Sequence, residues 1–112
     1  MTIEPLYATP AAQLTLGLID VDDLAAKLRA LEALIPEAQA ALVAANLAVV
    51  SRTEDLAFAQ TRLPDRIRYS KNLLIRATVT QDFALARVRK LDDAMREVRG
   101  ALEVARARLA AL

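Results

Sequence analysis

Apolar residues recur along most of this chain at alternating spacings of four and three. The first run is Leu24, Leu28, Leu31, Ile35, Ala38, Leu42, Ala45, Val49, Arg52, Leu56, Ala59 and Leu63, and Arg52 is its one polar member. The second is Ile67, Ser70, Leu74, Ala77, Gln81, Ala84, Val88, Leu91, Met95, Val98, Leu102, Ala105, Leu109 and Leu112, broken by Ser70 and Gln81 alone. A mean spacing of about 3.5 residues, held over many turns, is the seam of a coiled coil. Strands need alternation with period two, so the pattern leaves little room for a sheet.

Between the runs stands Leu63-Pro64-Asp65-Arg66. Pro64 has no N–H to continue a helix and biases Leu63 out of the helical region. A turn near 63–66 folds the second run back on the first. Residues facing each other in an antiparallel pair have numbers of constant sum. Leu56 with Leu74, Val49 with Gln81, Leu42 with Val88, Ile35 with Met95 and Leu28 with Leu102 all sum to 130. The stripes stay in register for about 40 residues, or roughly 60 Å at 1.5 Å per residue. The expected fold is all-α: a long antiparallel helical hairpin, coiled-coil-like, over 20–112.

Three places invite interruption. Pro36 can kink the first helix or start a new one, and a full break there gives the alternative of a three-helix bundle. Thr78-Val79-Thr80 is β-branched and invites a break capped by Thr80. Gly100 weakens the second helix. Ahead of the hairpin, residues 1–19 read as an N-terminal arm. Thr9-Pro10 and Gly17 bracket a short helix over 10–16, and Asp20 is placed to cap the helix that follows.

Net charge is +1, but residues 1–61 carry 3 basic and 8 acidic side chains and residues 62–112 carry 12 and 6. The two halves either pack against each other or leave the basic half to an anionic partner. With neither Cys nor His, the chain lacks thiolate metal sites, the cysteine nucleophile and the commonest general base. Asp20-Val21-Asp22-Asp23 lacks the Gly and the distant Glu of a calcium loop and reads as helix capping. Glu54-Asp55 and Asp92-Asp93 are neighbours that do not face each other on a helix. No Gly-rich phosphate loop occurs. The expectation is a protein that is not an enzyme and has no cofactor, metal or small-molecule substrate.

Two features remain for function. A two-helix seam hides one stripe per helix, yet Val43, Leu47, Val50, Leu73, Ile75, Val79, Phe83 and Leu85 lie off it. An apolar surface of that extent marks an interface, either with further copies or with another protein, unless the N-terminal arm covers it. Asn46 and Gln81, polar among these residues, are placed to fix register. The second feature is Arg62, Arg66, Arg68, Lys71 and Arg76 at the turn, with Tyr69 among them, a cluster able to hold phosphates.

The opening from Tyr7-Ala8-Thr9-Pro10 to Asp23 is a short helix and then an acidic turn into a longer helix. It resembles the start of phage head–tail connector proteins, over less than a fifth of the chain. The resemblance implies a virion component, although the long hairpin departs from the short helices of those proteins.

The longest apolar run, Ala38 to Val50, is 13 residues, short of the roughly 20 that span a bilayer. No basic stretch followed by an apolar one opens the chain. The expected location is the cytoplasm, or a virion assembled there, with membrane binding unlooked for. The expected function is a structural or assembly protein that oligomerises or docks a partner through its apolar face. A phage virion or connector subunit, a secretion-machine subunit and a small chaperone all fit. The alternative is a nucleic-acid-binding module that uses the basic tip.

Overall fold

A computed structural model describes residues 21–111. The arm's helix over 10–16, the Asp20 cap and most of the connector-like opening lie outside the described residues. The chain is all-α, an antiparallel helical hairpin. Helix α1 spans Val21–Ala33, α2 spans Ile35–Arg62 and α3 spans Ile67–Ala110, with a 3₁₀ turn at Pro64–Arg66 between α2 and α3. The turn is closed by Leu63 N–H donating to the Ala59 carbonyl at 2.9 Å and Arg66 N–H donating to the Leu63 carbonyl at 2.9 Å. Leu63 sits at φ −135° and ψ 70°, outside the helical region as a residue before proline prefers.

Pro36 separates α1 from α2 by one residue, Leu34. Its missing N–H leaves the Glu32 carbonyl without the usual helical donor. Leu34 N–H instead donates to the Leu31 carbonyl at 3.1 Å, a tightened last turn. Helix α2 then begins with proline at its second position, where no N–H is needed. The three-helix alternative requires a reversal at this point. A one-residue interruption provides none, and α1 takes the C-terminal stretch of α3 as its partner.

The expected break at Thr78-Val79-Thr80 does not occur, since α3 is one helix from Ile67 to Ala110. The hydroxyls that might have capped a new helix are absorbed within the old one. Thr78 Oγ1 donates to the Leu74 carbonyl at 2.9 Å and Thr80 Oγ1 to the Arg76 carbonyl at 3.1 Å. Gly100 likewise sits inside α3.

The described residues form two compact units, 21–35 with 90–111, and 36–89. In the first, α1 packs on the end of α3. Leu24, Val98, Ala101, Leu102 and Ala105 make its buried core, with Val21, Ala25, Leu28 and Leu31 against it. Glu32 meets Arg99 at 3.8 Å on the surface. In the second, α2 pairs with the first half of α3. Ala38, Ala45 and Ala59 of α2 and Ser70 of α3 are buried. Small residues at these positions let the two backbones approach closely. Every residue of α2 that is not exposed falls on the expected seam: Ile35, Ala38, Leu42, Ala45, Val49, Arg52, Leu56 and Ala59.

Candidate functional site

Within the unit 36–89, the seam fixes what the outer surfaces present. On α2, Val43, Leu47 and Val50 follow one another at spacings of four and three, on the side away from the seam. On α3, Ile75, Val79 and Phe83 follow at spacings of four, again on the side away from the seam. Because the seams face each other, the two stripes look outward in opposite directions. All six side chains are between 47% and 72% exposed, Phe83 most of all.

Gln81 Nε2 donates to Asn46 Oδ1 at 2.9 Å. This is less than one turn from Val49, the residue expected opposite Gln81. In the seam register, where Val49 stands opposite Gln81, Leu47 comes to the level of Phe83 and Val50 to that of Thr80, next to Val79. The two stripes therefore overlap along the unit. At 1.5 Å per residue, each is about 10–12 Å long.

Leu73 and Leu85 belong to neither stripe. Both are half-buried, because they flank seam residues Leu74 and Ala84 and lean into the helix pair. Phe58, exposed on α2, was not singled out by the spacing, because no apolar neighbour four or three residues away extends it into a stripe.

The basic tip is less concentrated than the sequence suggests. Arg68, Lys71 and Arg76 spread over about 140° of the α3 circumference at 100° per residue. Arg66 lies over the Tyr69 ring, 5.9 Å from its centroid, and occupies a face that a base would need for stacking. A groove of about 220 Å³ runs between α2 and α3 here, lined by Arg52, Asp55, Phe58, Leu63, Arg66 and Tyr69 among others. Arg52 is held by Asp55 at 3.4 Å. Arg62, Arg66, Arg68, Lys71 and Arg76 have no acidic partner among the described residues.

Two ion pairs join the acidic half to the basic half, Glu32–Arg99 at 3.8 Å and Glu37–Arg87 at 3.6 Å. Both are exposed, and pairs of this kind contribute about 0–1 kcal/mol each. No group of acidic side chains able to hold a metal ion occurs among the described residues. No family model, curated protein or solved structure matches the chain.

Proposed function

We propose that this is a non-enzymatic assembly protein, a subunit that associates through the outer apolar surfaces of the unit 36–89. The observation that carries the reading is the exposure of Val43, Leu47, Val50, Ile75, Val79 and Phe83, while the same two helices close their own seam. Burying a Val, Leu, Ile or Phe side chain is worth roughly 1.5–3 kcal/mol. Six of them supply enough to offset the several kcal/mol that association costs. A virion or connector subunit, a secretion-machine subunit and a small chaperone share this need for a partnered helical surface, and the cytoplasm suits each.

A bilayer is a poorer cover than protein. The helical stretch Val21–Arg62 is long and apolar enough to cross a membrane by length and composition, with mean hydropathy 1.6 in its most apolar window. Yet α2 is paired with α3, and Arg76, Asp82, Arg87, Arg89 and Lys90 of α3 would enter the bilayer with it. Charges at that depth are expensive.

The test is a double substitution, Leu47→Glu with Phe83→Glu. Both side chains are exposed, so circular dichroism should keep its helical signal while light scattering reports a fall to a 12.2 kDa monomer. An assembly that survives both substitutions rejects this surface.

A second reading draws on the unpaired Arg62, Arg68, Lys71 and Arg76. These would bind nucleic acid through its phosphates. Binding of this kind weakens steeply with salt, and titration at two salt concentrations with Arg66→Ala and Arg68→Ala variants tests it.

A further inference from the structure

Resting on the assembly reading, we infer that the occupant of each stripe is the other stripe of a second copy. The outer face of α2 packs on the outer face of α3 in the next subunit, and the contact repeats head to tail.

The first ground is direction. An isologous dimer buries one patch on each subunit. Here two stripes of similar length overlap along the unit and look opposite ways, so any single two-fold contact leaves the other stripe bare. A heterologous contact covers both.

The second ground is charge. On the outer side of α2 the charged residue beside the stripe is Glu54, and no basic residue between 36 and 61 shares that side. Glu37 instead faces across the helix pair, bridged to Arg87 of α3 at 3.6 Å. The α3 stripe is bracketed by Arg68 and Arg76 at one end and Arg89 and Lys90 at the other, against the single acid Asp82. Pairing α2 with α2 brings together two faces of net negative charge. Pairing α3 with α3 brings together two faces of net positive charge. Only α2 against α3 brings apolar stripe to apolar stripe with opposite net charges beside them.

The arrangement has a signature in mixtures. Leu47→Glu spoils the α2 face and leaves the α3 face intact, while Phe83→Glu does the reverse. Each variant alone should run as a 12.2 kDa monomer. Mixed in equal amounts, they retain one matching pair of faces and should form a dimer of twice that mass, and nothing larger. Val43→Glu mixed with Val79→Glu repeats the test on independent side chains, and circular dichroism checks that every variant stays helical.

If one single variant stays assembled while the other falls apart, the contact is isologous and the proposal fails. If the wild-type chain assembles but the mixture stays monomeric, the pairing of faces is wrong while the assembly reading survives. A wild-type monomer overturns both.

Discussion

Gln81 and Asn46 meet at 2.9 Å across the helix pair, on its exposed edge. The bond joins a residue on the α3 seam to one beside the α2 seam, and it favours one register of the two helices. Shifting that register by a turn would part the amides and slide the outer stripes past each other. A double-mutant cycle with Asn46→Ala and Gln81→Ala should give a coupling of about 0.5 kcal/mol in urea unfolding, the low end for a solvent-accessible hydrogen bond. No measurable coupling would mean that the amides prefer water.

Gly100 lies inside α3, and a Cβ built there meets nothing within 4 Å. Helical glycine costs about 0.8–1 kcal/mol relative to alanine, chiefly through the freedom it returns to the unfolded chain. Gly100→Ala should stabilise the protein by that amount, read as a raised denaturation midpoint. A lowered midpoint would show that the position meets something the helix pair alone does not contain.

Leu24 is 0% exposed and packs with Val98, Ala101, Leu102 and Ala105. Truncation leaves a cavity that the small neighbouring residues cannot fill. Leu24→Ala should cost about 2–4 kcal/mol, whereas Leu47→Ala, at an exposed position, should change monomer stability by no more than about 0.5 kcal/mol. Urea melts of the two variants separate a core position from a surface one.

Leu34 N–H is held by a short bond to Leu31, and the Glu32 carbonyl lacks its usual donor. Amide exchange at 34–35 should therefore be faster than in the middle of α2. Pro36→Ala restores the missing donor, joins α1 to α2 through a regular turn and should slow that exchange. Unchanged exchange would trace the interruption to something other than proline.

The spacing of apolar residues was enough to place the seam, because burial between two helices demands a repeat that a chain of letters displays. It also located the turn at Leu63-Pro64, where backbone chemistry leaves little choice. Thr78-Val79-Thr80 misled, because β-branching costs only tenths of a kcal/mol per residue in a helix and the threonine hydroxyls find carbonyls one turn back. Leu73 and Leu85 looked like outer-face residues because they lie off the strict repeat, yet the edge of a seam still shelters its neighbours. The closeness of Arg62, Arg66, Arg68, Lys71 and Arg76 was plain in the sequence, but not that the three on α3 point to different sides of its axis. The opposition of the two outer stripes was not legible until both helices were paired, since it depends on which side each seam faces.

The most direct test is the mass of the unmodified chain in solution, by sedimentation across concentrations up to tens of micromolar. An interface built from Val43, Leu47, Val50, Ile75, Val79 and Phe83 predicts a mass that rises with concentration through multiples of 12.2 kDa. A single 12.2 kDa species at every concentration would contradict it.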